Sequence, residues 1–566
     1  MADLGRSSDQ KMVSGNQLAS ELQGPLSRYC SLWTIAVLLV TVTLTAPLII
    51  LLWYLFQEPG PWWEHIAEYL LPRYIRNTFI LCIGIGVLTI VVSVPCAWLV
   101  TMYEFPMRKK LSWALMLPLA LPTYMAAFIW AGLLDFSGPI ESSLRALFPQ
   151  HDGRFFPFDI MSLPGAILVL GSVLYPYVYM ITRVTFARQS AQMLQAARLL
   201  GRSPFEVFWR VAVPLARPAI VAGVSLAIME TLNDYGAVKY YGVDTFTTAI
   251  FHAWFRLEDQ ISAIRLSACL LIVVVVVLGV ERIGRGRRRF HIKEGQCLPT
   301  RQQLRGLKSV GAMICCFIPV FVGFLIPVAM LFFWLAKTWR ETFDSGYVLM
   351  VRNSLLLALC TALCAVFLAL LMAYTVHLYR QRFFRVITSL ASVGYAIPGA
   401  VIAIGVMMLS IGFDRWIGGD IGRLFGREGN LLLMSSTVAL TGAYLVRFLA
   451  IGNQTMFGAF DMLGTHLHDT SRLLGASSYR TFWQVELPLL KGPLLVAGLM
   501  VFVEVLKELP LTLILSPFNF TTLATQAYQY AGDEMLARSS GPMLLILLAS
   551  LIPVCLLHYL SSTKFG

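Results

Sequence analysis

Four carboxylates stand inside stretches that are otherwise apolar enough to cross a bilayer. Glu230 and Asp234 lie four residues apart in METLNDYGAVKYYG, and Glu504 and Glu508 lie four apart in VEVLKELP. On a helix that spacing puts each pair on one face, one turn apart. A charge at mid-bilayer costs about 2.5–3.5 kcal/mol, so four acids cost on the order of 10 kcal/mol unless they face water or a partner. A path lined by carboxylates, with Tyr235, Tyr240 and Tyr241 nearby in the chain, suits a hard cation that prefers oxygen ligands. The alternative is structural: the acids pair with Lys239 and Lys507, or serve as polar glue near the outer interface.

Other candidate chemistry is sparse. Of the ten cysteines, Cys82, Cys96, Cys269, Cys360 and Cys364 lie in apolar runs and no C-x-x-C occurs, so they read as small apolar residues. His466 and His468 form an H-x-H ahead of a polar loop and read as solvated surface. No metal ligand set is assigned and no cofactor is expected. No G-x-x-x-x-G-K-[ST] is present, so any ATP hydrolysis would fall to a partner and the chain itself reads as no enzyme.

The elements that position the acids are membrane spans. Of 566 residues, 57% are hydrophobic and 13% charged, which makes lipid the solvent for most of the chain. The formal charge of +13 does not point to nucleic acid, because the basic residues gather in short loops between apolar runs. The first 28 residues are polar, and the run from Ser31 is long enough to span and stay. Apolar runs predict twelve spans, near 31–56, 78–102, 111–134, 162–186, 217–241, 262–281, 310–336, 353–378, 386–412, 431–456, 492–515 and 542–560.

Charge bias then orients them. Arg108, Lys109 and Lys110, Arg183 and Arg188, the run Arg282 to Arg289, Arg380, Arg382 and Arg385, and Arg447 fall on one side when both termini are cytoplasmic. Loops at 57–77, 135–161, 242–261, 413–430 and 516–541 then face outward.

The chain also repeats itself. Gln195 to Gly223 reads QAARLLGRSPFEVFWRVAVPLARPAIVAG, and Asp469 to Gly498 reads DTSRLLGASSYRTFWQVELPLLKGPLLVAG. Nine identities, from Arg198 and Arg472 to Leu215 and Leu489, recur over 18 positions at an offset of 274. Each copy predicts a short helix, a turn at Gly201 or Gly475, and a second helix opened by Ser203 or Ser477 and stopped at Pro214 or Pro488. Arg76-Asn77-Thr78 matches Arg352-Asn353-Ser354 and Pro122 matches Pro398 at 276; Thr245-Phe246-Thr247-Thr248 matches Asn519-Phe520-Thr521-Thr522 at 274.

This loop resembles the "EAA" coupling loop of importer-type ABC transporter permeases, whose pattern is E-A-A, three residues, Gly, then Leu-Pro thirteen residues beyond that Gly. Gln195, Ala196, Ala197, Gly201 and Pro214 occupy those places in one copy, and Asp469, Gly475, Leu487 and Pro488 in the other. Gln195 and Asp469 replace the leading Glu, Thr470-Ser471 replaces Ala-Ala, and Val213 replaces Leu. The resemblance implies an all-α polytopic membrane protein with about twelve transmembrane helices in two fused type-1 permease units. Its divisions are a cytoplasmic N-terminus, first helix and outer loop (1–75), a first unit (76–281), a basic cytoplasmic linker (282–309), an extra helix with outer loop (310–351) and a second unit (352–560).

It further implies a bacterial inner-membrane subunit that works with ATPase subunits, expected as a homodimer, and with a periplasmic or extracellular solute-binding protein. Membrane lipid is the remaining partner, and nucleic acid is not one. Double-length ferric-iron permeases resemble this chain around both acid-bearing stretches, so ferric iron is the expected cargo. Thiamine, aminoethylphosphonate and sulfate-like anions are the alternatives within the class. A secondary ion-coupled transporter also shows twelve spans and internal repeats, but has no need of two helix-glycine-helix loops.

Overall fold

The computed structural model describes residues 32–148, 159–188, 197, 199–285, 301–342, 345–379, 381–416, 433–434, 436–464 and 466–564. An amide in lipid finds no water, so apolar segments close their own hydrogen bonds as helices. The first half gives α1 (Leu32–Tyr54), α2 (Leu71–Met102), α3 (Arg108–Ala114), α4 (Thr123–Leu134), α5 (Leu163–Arg188), α6 (Val213–Asn233), α7 (Gly236–Tyr240), α8 (Phe246–Phe255) and α9 (Gln260–Arg285). The second gives α10 (Leu307–Val320), α11 (Ile326–Thr342), α12 (Ser345–Tyr379), α13 (Arg382–Ala391), α14 (Gly399–Trp416), α15 (Thr437–Leu463), α16 (His466–Leu473), α17 (Leu487–Lys507), α18 (Pro510–Leu515), α19 (Leu523–Gly532) and α20 (Leu536–Lys564). Two short strands, Tyr103–Glu104 and Gln302–Gln303, pair in parallel and tie the end of α2 to the stretch before α10.

Ten helical runs among the described residues are long and apolar enough to cross a membrane, or eleven if one bent pair is a single span, against the twelve expected. The span expected at 111–134 is broken. α3 leads into a 3-10 turn at Leu117–Ala120, and α4 starts after Pro122 with the two halves bent by 93°. The span expected at 386–412 breaks in the same way: α13, a 3-10 turn at Val393–Ala396, Pro398, then α14. Proline disfavours helix in the residue before it and lacks an N–H, so a run that is continuous in hydropathy is interrupted in backbone. α15 falls short on hydropathy because it carries Arg447, Asn453 and Gln454. The runs expected at 217–241 and 492–515 stop early, at Asn233 and Lys507.

Equivalent helices hold equivalent contacts, with one change of register. Thr78 Oγ1 accepts from the amide of Phe246 at 3.4 Å, and Ser354 Oγ from the amide of Leu523 at 2.7 Å. Thr245 and Thr522 each form a capping box, with Thr248 and Thr525, at the starts of α8 and α19. Thr245 therefore corresponds to Thr522 and not to Asn519. Spatial equivalence runs three residues later than the matched letters, because both Thr-rich stretches contain more than one residue able to cap.

Packing crosses between the units. One core joins α2, α4 and α5 to α10 and α11 and to residues of α19 and α20. The other joins α12, α14, α15 and α17 to α1 and to residues of α8 and α9. α1 precedes the first repeat yet lies on α14, where a Cβ on Gly405 would stand 2.7 Å from the Pro47 carbonyl oxygen. The helical run α10–α11 precedes the second repeat yet lies on α5, where a Cβ on Gly323 would stand 2.3 Å from the Ser172 carbonyl oxygen. Only glycine allows backbones so close.

Candidate functional site

α6 and α17 both end one residue before an acid. Asp234 follows Asn233 in extended backbone (φ −68°, ψ 129°), and Glu508 follows Lys507 likewise (φ −72°, ψ 127°). The next helices, α7 and α18, begin with amides that lack intrahelical partners. Asp234 Oδ2 accepts from the amides of Ala237 and Val238 at 3.1 and 3.0 Å, and Glu508 Oε1 accepts from that of Leu511 at 3.3 Å. Asp234 Oδ1 also accepts from the Thr123 hydroxyl at 2.6 Å. The four acids thus do not form two pairs on continuous helix faces: Glu230 and Glu504 stay on α6 and α17, while Asp234 and Glu508 cap α7 and α18.

The two lysines part company. Lys507 Nζ lies 2.7 Å from Glu504 Oε1. Lys239 is exposed and does not meet Asp234. Of the three tyrosines, Tyr235 lines the central cavity and stacks on Phe251 at 3.6 Å between ring centroids. Tyr241 instead donates its hydroxyl proton to the Ala127 carbonyl, and Tyr240 packs on Phe128.

Two cavities meet at these residues. The first, about 640 Å³ of empty space including the part open to solvent, is lined by all four acids together with Arg447 and Lys507. The second, about 630 Å³ on the same measure, runs along Ala222, Ser225 and Met229 of α6 toward Glu281 and reaches Tyr395 and Pro398. Glu230, Asn233 and Arg447 line both and form the partition between them. Glu230 makes no hydrogen bond or ion pair among the described residues. Four carboxylates against two cations leave a formal negative excess in the first cavity.

Arg447 is the residue that charge counting misplaced. It lies buried within α15, away from any loop. Its Nη1 donates to Asn233 Oδ1 at 2.6 Å, and its Nε stands 3.7 Å from Glu508 Oε2. The same Asn233 oxygen accepts from the amide of Gly399 at 2.7 Å. One side chain from the first repeat is thereby held by two residues of the second. A lone arginine in an apolar run was the available signal, since mid-membrane guanidinium is too costly to lack a partner.

Gly399 has no room for a side chain. A Cβ there would stand 2.8 Å from Glu508 Oε1 and 2.9 Å from Arg447 Nη1. Gly399→Ala is expected to destabilise the purified protein by about 1–3 kcal/mol, the usual range for overpacking, while Gly492→Ala, where nothing lies within 4 Å, is neutral. Unfolding midpoints of both variants in detergent check this, and equal midpoints would remove the close approach.

The repeated loop forms two knobs of like construction. Gly201 and Gly475 adopt φ of +79° and +86°. Ser203 caps the next turn by accepting from the Glu206 amide at 3.2 Å, and Ser477 does so from that of Arg480 at 3.2 Å. The second helix does not stop at the prolines. π turns at Phe208–Ala212 and Phe482–Glu486 run directly into α6 and α17, where Pro214 and Pro488 are the second residues. The wider turn absorbs the missing proline N–H that would break a regular helix.

Aromatic pairs fix each knob to a span: Trp98 with Phe208 at 5.3 Å, and Tyr374 with Phe482 at 4.5 Å. At their tips Leu199, Leu200, Leu473 and Leu474 are 89%, 83%, 88% and 84% exposed, with Phe205, Trp209, Tyr479 and Trp483 beside them. Apolar side chains are thus exposed at matched positions of the two knobs. Gln195 and Ala196 lie outside the described residues; Ala197 is half-buried and Asp469 is exposed on α16. The two histidines on α16, the first helix of the second knob, differ. His466 is exposed, but His468 turns inward and its Nδ1 lies 2.8 Å from Glu486 Oε1, so only the first is solvated surface.

Comparison with known proteins fits this geometry. The family model described as binding-protein-dependent transport system inner membrane component matches twice, at residues 86–287 and 365–563. The Fe(3+)-transport system permease protein FbpB 2 of Haemophilus influenzae is 24% identical over 488 residues, 85% of this chain and 89% of its own length. The sulfate transport system permease protein CysT of Escherichia coli is 25% identical over 262 residues, 44% of this chain and 91% of its own. The sulfate permease protein CysW of the same species is 31% identical over 150 residues, 26% of this chain and 49% of its own.

Proposed function

Because the chain belongs to the family of binding-protein-dependent transport system inner membrane components, we propose that it is the ferric-iron permease of an ATP-driven importer. The coarse assignment follows from the family: this is an integral membrane transport permease, of a class that works with ATPase and substrate-binding partners. The observation that carries the iron reading is the negative excess at the partition between two cavities, with Glu230 unpaired there among the described residues. A passing cation sheds hydration, and carboxylate oxygens replace it. The likeness to an Fe(3+) permease across most of both chains supports the same cargo.

In this reading both knobs lie on the cytoplasmic side of the inner membrane, as do both termini. Each seats its leucine tip in one groove of an ATPase homodimer. Two identical grooves suit two knobs whose tips match residue for residue at Leu199-Leu200 and Leu473-Leu474. ATPase closure shifts the knobs, the aromatic pairs transmit the shift to α2 and α12, and the spans re-pack about the partition. The chain performs no hydrolysis of its own.

A second reading has its own observation. Arg447 and Lys507 face the same cavity, and sulfate permeases resemble one half of the chain, which together favour an oxyanion. Proteoliposomes containing the permease, its ATPase and its binding protein separate the two. Ferric iron is expected to be accumulated in an ATP-dependent manner and sulfate not. Sulfate uptake without iron uptake would reverse the assignment.

A further inference from the structure

The second knob holds a set of side chains with no counterpart in the first. His377 at the end of α12, His468 on α16 and Glu486 in the π turn present ligand atoms that all lie within 4.8 Å of one another. His377 Nε2 is 3.5 Å and His468 Nδ1 2.8 Å from the same Glu486 oxygen. The Glu486 side chain is 3% exposed, and its other oxygen, Oε2, is buried with no hydrogen-bond partner among the described residues. A carboxylate so buried with half its acceptor capacity unused is costly unless something else completes it. By the repeat offsets, the corresponding places in the first unit are Thr101, Leu194 and Ala212, which offer no metal-binding donor set.

We propose that His377, His468 and Glu486 bind a divalent transition-metal ion of borderline softness, in the zinc and ferrous class, at the root of the second knob. Two imidazoles and a carboxylate suit such an ion, and three protein ligands leave a position for water. The ion draws its ligands from three separate elements. Binding therefore ties α16, the first helix of the knob, to α12 and to the π turn that opens α17. Only one of the two knobs carries this tie, so the ion acts on one side of the coupling surface. The site lies away from the partition acids and does not depend on the identity of the cargo.

The test uses the full chain, free of any histidine tag, in detergent or nanodiscs, titrated with Zn2+ against a competing chelator dye. One saturable site per chain is expected. His468→Ala and Glu486→Gln should weaken it roughly 100-fold, as loss of a ligand or its support does, while His466→Ala leaves it unchanged. Glu486→Gln preserves shape and hydrogen bonding, so it keeps the test valid should His377→Ala fail to fold. Zn2+ should also slow amide exchange over residues 466–473 and leave residues 199–207 unaffected. Absence of a saturable site, or equal weakening by His466→Ala, would show a hydrogen-bonded cluster only and overturn the proposal.

Discussion

Gly475→Val is expected to abolish uptake while the protein still inserts and accumulates in the membrane. At φ +86° an L side chain is strained, and for a β-branched residue the cost exceeds the roughly 1–2 kcal/mol of the left-handed region. Nothing lies within 4 Å of a Cβ there, so the damage comes from the backbone and not from crowding. Relief requires the turn to open, which moves the exposed Leu473 and Leu474 out of register with Ser477 and α17. Gly475→Asn, which tolerates that conformation, should retain most activity. Copurification of the ATPase, measured beside uptake, decides the matter. A valine variant that binds its ATPase and transports normally would disprove the coupling role.

Glu230→Gln carries the other large effect: uptake should fall at least tenfold with abundance and ATPase binding unchanged. The amide keeps size and hydrogen-bonding capacity but removes the charge that offsets a cation's desolvation. Since Glu230 has no partner to strand among the described residues, its loss costs the fold little. Arg447→Leu gives the contrasting result. It leaves Glu508 buried without its cation and Asn233 without one of its two donors, so abundance should fall first, by a destabilisation of about 3–5 kcal/mol. If Glu230→Gln lowers abundance and leaves the uptake of each inserted molecule intact, the acid is structural and the cation path fails with it.

What could be read from the letters was local. The helix-glycine-helix knob depends on residues within one short stretch, and Gly201, Gly475, Ser203 and Ser477 take up the conformations their types demand. Broken spans were illegible because hydropathy continues through Leu121-Pro122 and Ile397-Pro398 while the backbone does not. The acids were visible, but their division of labour was not, since Asp234 becomes a cap only when α6 ends and α7 turns away. Arg447 and His468 were misread for a common reason. The partner that draws each inward is distant in sequence, 61 residues away at Glu508 and 18 at Glu486.

The crossed placement of α1 and of α10–α11 makes the halves of this molecule a pair of clasped hands. Each half carries a strap that reaches the other, although α11 packs chiefly along α20 of its own half. The straps differ in slack. Eight residues, 55–62, separate α1 from the helical run that starts at Trp63 and continues as α2, whereas only residues 343 and 344 separate α11 from α12. A joint tethered tightly at one point and loosely at another swings about the tight one.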